Sequence, residues 1–293
     1  RAAGPGRPLQ LNLWIPDPPP HRDAASEAAV RAFLDQWGPP VPASAGDATP
    51  PDFSAQCEAM LDARPAVISS IMGTYPPSYV DAMKARGIRW FANATTVAEA
   101  KAAAAAGADA IVAQGMEAGG HRGAFHAAEA DRKAVGLFAL LPAIVDAVDV
   151  PVIATGGIAD ARGVAAALAL GASAVQVGTG FLRCPEARIA TAWADAIGRT
   201  LPEDTMLTRA FSGRLGRSIA TPYVLAAAAA DAPKPAPYPV QRGLTQAMRD
   251  AASKSNRLDT MQAWSGQSAA LARAMPAEEL LAALWDGARA LIK

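Results

Sequence analysis

One stretch of this sequence, QGMEAGGHRGAF at residues 114–125, holds the residue types that could do acid–base or binding chemistry. It follows an apolar run and brings Gln114, a pair of glycines and His121 close together. The Gln114 amide offers both a donor and an acceptor, and Gly119 would let a ligand approach the backbone. A histidine at a strand end can act as a base or a donor near neutral pH. A lone histidine is more often structural, so both interpretations stay open on this stretch alone.

Two glycine-rich turns follow later strands and indicate a second kind of chemistry. They are ATGG, which contains Gly156 and Gly157, and QVGTGF, which contains Gly178 and Thr179. Glycines there expose backbone N–H groups, and a helix that begins soon after adds its partial positive end. Paired turns on consecutive last strands are typical of the phosphate site of a barrel. We therefore predict an anion site here, while the absence of GxGxxG and GxxxxGKS motifs argues against Rossmann or Walker sites.

The elements that must position these residues repeat one design, a β-branched apolar run followed by an Ala-rich helix. We predict strands at 8–15, 65–73, 87–96, 108–115, 150–157 and 172–181. Repeated strand–helix units indicate a parallel sheet with right-handed crossovers. The pattern favours an α/β fold of the TIM (β/α)8 barrel type, in which reactive groups collect at strand ends. Six units are two short, so we expect the first two βα units to be absent from this chain. An open six-stranded sheet is the alternative.

Beyond the last predicted strand the character of the chain changes. A Pro-rich connector occupies 231–239, and helical patterns follow at 243–253, 257–264 and 276–292. We predict three parts: a (β/α) barrel at 1–200, a helical lobe covering the active site at 201–270, and a C-terminal helix returning to the barrel at 271–293.

The composition and charge of the chain limit the classes of partner that we expect it to bind. Lys and Arg together number 27, as do Asp and Glu, so the net charge of zero gives no reason to expect nucleic acid or an anionic membrane. No apolar run approaches the roughly 18 residues that a membrane span needs. The two cysteines form no disulfide framework, which suits a reducing cytoplasm. We predict a cytoplasmic protein with no metal site.

The sequence resembles the nitronate monooxygenases, once called 2-nitropropane dioxygenases, in four motifs: QGMEAGGHRGAF, PVIATGGIADARGVAAALALGASAVQVGTGF, FSGRLGRS and WSGQ. The resemblance runs from about residue 8 to the C-terminus. It implies an FMN-binding TIM barrel with a smaller helical lobe, and oxidation by O2 of alkyl nitronates, among them propionate 3-nitronate, or of nitroalkanes. The first strand of the family and its Gly-rich second strand have no counterpart here, which agrees with the shortfall of two units.

The resemblance also implies residue roles. His121 corresponds to the catalytic histidine, either as a donor or imidazolium that stabilises a nitronate, or as a base that removes the α-proton of a nitroalkane. Trp264 and Gln267 are candidates to line the pocket. Flavin contacts are implied at Asn12, Gln114, Gly119, Gly156, Gly157, Gln176, Val177, Gly178 and Thr179.

Two other functions stay open at this point. A flavin-dependent enoyl-acyl-carrier-protein reductase shares the E-A-G-G-H element and the glycine turns, and it would use NAD(P)H. The neutral net charge offers no basic face for an acidic carrier, which counts against it. The other alternative is a non-catalytic barrel remnant that acts as a binding module. A homodimer is also left open.

Overall fold

The computed structural model describes residues 9–292, and nine strands lie among them. In chain order they are β1 (Gln10–Trp14), β2 (Val67–Ile71), β3 (Arg89–Ala94), β4 (Ala110–Gln114), β5 (Gly120–His121), β6 (Val152–Thr155), β7 (Ala174–Gln176), β8 (Thr205–Thr208) and β9 (Gly216–Ile219). One parallel sheet has the order β1-β2-β3-β4-β6-β7, and a small antiparallel sheet has the order β5-β9-β8. All six predicted strands are present. Residue 8, where the first was predicted to begin, lies outside the described residues.

The α-helices alternate with these strands and then dominate the C-terminal part. They are α1 (Ala24–Leu34), α2 (Phe53–Ala63), α3 (Pro77–Ala85), α4 (Val97–Ala105), α5 (Leu137–Val145), α6 (Ala161–Ala169), α7 (Thr191–Ile197), α8 (Pro222–Ala227), α9 (Val240–Leu244), α10 (Gln246–Lys254) and α11 (Ala277–Leu291). Side-chain caps fix several helix starts; at α6, for example, Asp160 Oδ1 accepts from the Gly163 N–H at 3.1 Å. Described residues include no helix long and apolar enough to cross a bilayer.

The main core lies between the parallel sheet and the helices on its outer face. Strand β4, at the centre, is buried at all five positions, whereas the edge strand β7 is exposed or half-buried throughout. Residues such as Ile111, Leu141 and Ile144 are fully buried there. Burying each such side chain contributes about 1.5–3 kcal/mol. Helix α11 joins this core through its buried face. The division of the chain into barrel, lobe and C-terminal helix stays a prediction.

The parallel sheet is curved and open. Strands β1 and β7 have no ladder partner on their outer edges among the described residues. Asn12 on β1 and Gln176 on β7 nevertheless line one space of about 470 Å³, so the first and last strands curve toward each other. The predicted α/β fold with a parallel sheet is confirmed as a half-barrel, and the two absent units stay a prediction.

The lobe differs from the predicted one in three respects. It includes the antiparallel β5-β9-β8 sheet as well as helices, and residues 257–264 form only a short 3-10 turn, Leu258–Thr260, in place of a helix. Its core also includes Val30 and Leu34 of α1, which the predicted boundary at residue 200 assigned to the barrel. The apolar face of α1 is buried in one cluster with Phe211 and Leu244, apart from the core of the parallel sheet.

Candidate functional site

The loop after β4 is held by its own glutamine. Gln114 Nε2 donates to the His121 carbonyl at 3.0 Å, and the Gly123 N–H donates to Gln114 Oε1 at 2.7 Å. The backbone of His121 then pairs with Gly216 of β9 in the antiparallel sheet. The amide predicted to contact a ligand is therefore engaged mainly in shaping the loop that presents His121.

Arg122, which sequence reasoning did not single out, completes that frame. Its side chain is buried and its guanidinium donates to the carbonyls of Thr95, Gln114 and Lys133, at 3.3, 3.4 and 3.0 Å. It thus ties the ends of β3 and β4 to the far side of the loop. The one signal for it in the sequence is an arginine directly after the histidine.

The His121 ring lies between two indoles. Its centroid is 4.7 Å from that of Trp14 and 4.9 Å from that of Trp264, both in edge-on geometry. Its Nε2 atom is 2.7 Å from the Ser212 hydroxyl. Trp264, predicted as a candidate, therefore does reach the site, whereas Trp14 and Ser212 carried no signal that singled them out.

These surroundings keep the imidazole neutral. Burial, followed by the charges of Arg242, Arg214 and Arg249, lowers the pKa of His121 from 6.5 to about 3. Arg214 is paired with Asp17, and Arg249 donates to neighbouring side chains including Gln262. The Arg242 side chain has no hydrogen-bond or ion-pair partner among residues 9–292. The imidazolium suggested above is therefore not the form that this environment favours at neutral pH.

The two glycine turns converge on one small cavity. Gly156 and Gly157 have φ of 108° and 69°, a region that favours glycine. The cavity, of about 60 Å³, is lined by Gly119, Gly156, Gly157, Gln176, Gly178 and Thr179 and by six further residues. None of these lining residues is charged, so an anion here would be held by backbone N–H groups and hydroxyls. The nearby N-terminus of α6 is already capped by Asp160, which reduces its contribution.

A segment of the lobe, residues 265–268, crosses over this cavity, and we call it the strap. The Gly266 N–H donates to Thr179 Oγ1 at 3.0 Å, and the Gln267 N–H donates to the Glu117 carbonyl at 2.9 Å. The Ser268 hydroxyl donates to the Gly157 carbonyl. The strap includes the predicted candidate Gln267, and its contact with the glycine turns had no signal beyond the WSGQ motif.

Three predicted contacts lie apart from the small cavity: Gln114, which frames the loop as described above, Asn12 and Val177. Asn12 accepts from the Ser69 hydroxyl at 2.9 Å, on the inner side of the sheet that Gln176 also faces. The Val177 side chain packs against the main core, so only its backbone is available to a ligand. His121 does not line the small cavity either. A ligand that contacts both His121 and the small cavity would have to extend across the carboxyl ends of the strands.

Two larger spaces lie beyond Trp14, the indole that contacts His121, and His121 itself is not in the lining of either. One cavity of about 900 Å³ and one of about 660 Å³ share Trp14 and Tyr238 in their linings. Arg242 lines the first of these and Asn12 the second. Spaces of this size accommodate a cofactor ring and a small substrate.

A half-barrel with a glycine-lined cavity and a histidine at the carboxyl ends of its strands defines an α/β barrel-type protein. The family model described as nitronate monooxygenase matches residues 5–287. This chain belongs to the nitronate monooxygenase family.

Relatives and solved structures agree with that assignment. The chain is 38% identical over 288 residues to a nitronate monooxygenase of Paraburkholderia phytofirmans, covering 95% of this chain and 77% of the relative. It is 40% identical over 295 residues to one of Pseudomonas aeruginosa, covering 97% and 82%. It is similar to a nitroalkane oxidase from Streptomyces ansochromogenes, with 33% identity and a TM-score of 0.84, covering 98% of this chain and 83% of that one. FabK from Thermotoga maritima, at 24% identity and a TM-score of 0.71, covering 98% and 78%, shows a likeness of fold alone.

Proposed function

We propose that this protein is an FMN-dependent oxidoreductase that oxidises nitronates with O2. The observation that carries the proposal is the convergence of both glycine turns on one cavity, at the strand edge from which His121 is also presented. Membership of the nitronate monooxygenase family and the likeness to a nitroalkane oxidase support it.

The residues present fit FMN at its phosphate end. The small cavity of about 60 Å³ has room for a phosphate group. Gly156 and Gly157 have positive φ, a backbone conformation that residues with a side chain rarely adopt. Gly178 and Thr179 would hold the phosphate from the second turn, with Gly119 beside them. Asn12, Gln114, Gln176 and the Val177 backbone are the proposed contacts of the remainder. Bound FMN supplies the redox chemistry.

The residues on the histidine side bind and orient the substrate. A nitronate is an anion, and the Arg242 guanidinium, which has no partner among residues 9–292, would attract it into the cavity of about 900 Å³. The neutral His121 ring, fixed between Trp14 and Trp264, would orient it by a hydrogen bond. We propose that a carboxylated nitronate such as propionate 3-nitronate is among the substrates, with Arg242 meeting one of its two negative groups.

A spectroscopic and kinetic experiment tests this function. The natural full-length protein should purify with a flavin absorption spectrum, release FMN on denaturation, and bleach anaerobically with a nitronate but not with NADPH. Oxygen uptake should accompany nitronate consumption. A protein that neither contains nor can be reconstituted with flavin would contradict the proposal, and rapid bleaching by NADPH would favour a reductase.

We also propose that two further βα units complete the barrel between β7 and β1. Both edges are unpaired among the described residues, and α11 exposes Leu281 and Trp285 on one face. An uncovered sheet edge and apolar stripe of this kind normally pack against other elements. If residues 1–293 alone bound the dye 1-anilinonaphthalene-8-sulfonate no more than the natural full-length protein does, this part of the proposal would be wrong. The cytoplasmic location stays a prediction and the homodimer stays open; sedimentation of the full-length protein tests whether it dimerises.

A further inference from the structure

We propose that Ser212 is a positioning residue that fixes His121 as its Nδ1–H tautomer, so that the ring acts as a hydrogen-bond donor and not as a base. The proposal rests on the function proposed above and specifies the role of the same histidine. It separates the two roles, donor and base, that the sequence leaves open.

The argument begins with the three contacts of the Ser212 hydroxyl. Its oxygen lies 2.7 Å from His121 Nε2 and 3.3 Å from both the backbone nitrogen and the carbonyl oxygen of Arg214. The side chain is fully buried, so no solvent shares these contacts. The hydroxyl carries one proton, which can be given to only one of the two possible acceptors.

Distance decides which acceptor receives that proton. Hydroxyl donors prefer about 2.5–3.0 Å, whereas N–H donors prefer about 2.7–3.2 Å. The 2.7 Å contact with Nε2 lies within both ranges, whereas the 3.3 Å contact with the Arg214 carbonyl is too long for a hydroxyl donor. Because a buried hydroxyl proton needs an acceptor, Nε2 is the acceptor left for it. The hydroxyl therefore donates to Nε2, while its oxygen accepts the weaker bond from the Arg214 N–H.

The tautomer of the ring follows from that bond. A neutral imidazole that accepts at Nε2 carries its proton on Nδ1. Nδ1 has no hydrogen-bond partner among the described residues, so it is the nitrogen left for a ligand. Burial between Trp14 and Trp264 and the neighbouring arginine charges both oppose a second proton on the ring.

The chemical consequence concerns which substrate form the site accepts. An Nδ1–H group can donate to a nitronate oxygen, which carries negative charge. It has no lone pair with which to remove the α-proton of a neutral nitroalkane. The site is therefore built for the substrate that is already deprotonated.

Nitrogen-15 NMR of the histidine side chains in the holoenzyme tests the assignment without relying on turnover. Residues 1–293 contain three histidines, and spectra of His121→Asn and His126→Asn variants would assign the signals. We expect a protonated Nδ1 and an unprotonated Nε2 at His121 near neutral pH. A protonated Nε2, or a mixture of both tautomers, would overturn the proposal.

Variants of Ser212 test its role. Ser212→Ala should give a mixture of tautomers and lower kcat/KM for a nitronate about tenfold, the value of one neutral hydrogen bond, while Ser212→Thr restores both. The matched control is Ser218→Ala, which removes another fully buried hydroxyl, one bonded to the Ala263 carbonyl, and should leave the His121 tautomer unchanged. A Ser212→Ala spectrum like that of the wild type would refute the role of Ser212.

The substrate preference gives a separate measurement. The wild type should turn over a nitronate at least about tenfold faster than the corresponding neutral nitroalkane, as one hydrogen bond predicts. Equal rates would overturn the donor role. Absence of any nitronate turnover, with the Nδ1–H signal present, would contradict the proposed function and still support the tautomer.

Discussion

Gly119 lies where the strap passes closest to the loop that carries His121, and replacing it tests that packing directly. A Cβ built on Gly119 would lie 2.6 Å from the Ser265 carbonyl carbon and 2.8 Å from Thr179 Oγ1, and it would also meet the Gly266 nitrogen. Two of these neighbours are backbone atoms, so no side-chain rotation relieves the overlap. Overpacking costs about 1–3 kcal/mol, and the Gly266–Thr179 hydrogen bond that the shift would break adds about 1 kcal/mol. Gly119→Ala should therefore lower the free energy of unfolding by about 2–4 kcal/mol.

Urea unfolding of the flavin-stripped protein, followed by circular dichroism, measures this cost. We expect a lower midpoint with an unchanged dependence on urea. The matched control is Gly178→Ala, because nothing lies within 4 Å of a Cβ at that position. That variant should stay within about 0.5 kcal/mol of the wild type, yet bind FMN more weakly, since its methyl group would point into the open space. Equal stability of the Gly119→Ala protein and the wild type would refute the packing of the strap.

Three further predictions concern buried charge and the loop frame. Asp17→Asn leaves the Arg214 guanidinium, which is 2% exposed, without its ion pair. It should lower the free energy of unfolding in urea by about 3–5 kcal/mol. The control Asp47→Asn, at a residue 66% exposed, should lower it by less than about 1 kcal/mol. The folded-state pKa of His121 is about 3 and its ordinary value is 6.5, so the unfolded chain binds this proton first as pH falls. The free energy of unfolding of the wild type should therefore fall by up to about 1.4 kcal/mol per pH unit between these two pKa values. The His121→Asn variant should lack this contribution to the pH dependence. Gln114→Leu removes both bonds that frame the loop, so it should lower stability by about 2–3 kcal/mol and reduce kcat; wild-type values for both would contradict that frame.

Much of this fold could be predicted from local patterns in the sequence. The six parallel strands follow from apolar runs that end in glycine or a helix cap, and each is decided within about ten residues. The glycine turns could be placed together because consecutive parallel strands end at one edge. Their convergence on a single cavity, with Gly157 and Gly178 both in its lining, is the geometry that this reasoning predicts.

Other parts depend on contacts between distant residues that no local pattern encodes. Ser212 is 91 residues from His121 in the chain, and only the antiparallel sheet brings them together. Strand β5 has two residues, too few to show any periodicity. The docking of α1 onto the lobe depends on residues far along the chain, such as Phe211 and Leu244. The depressed pKa of His121 follows from those same distant neighbours.

His121 is held by both sheets: its backbone pairs with β9 of the antiparallel sheet, and its carbonyl accepts from Gln114 at the end of β4 in the parallel sheet. Its strand has no ladder partner other than β9 among the described residues, so fraying of the lobe would release the imidazole while the large sheet stays intact. On gradual warming, enzymatic inactivation should precede the melting of bulk helical signal. Activity would then report the integrity of the β5-β9-β8 sheet separately from that of the parallel sheet.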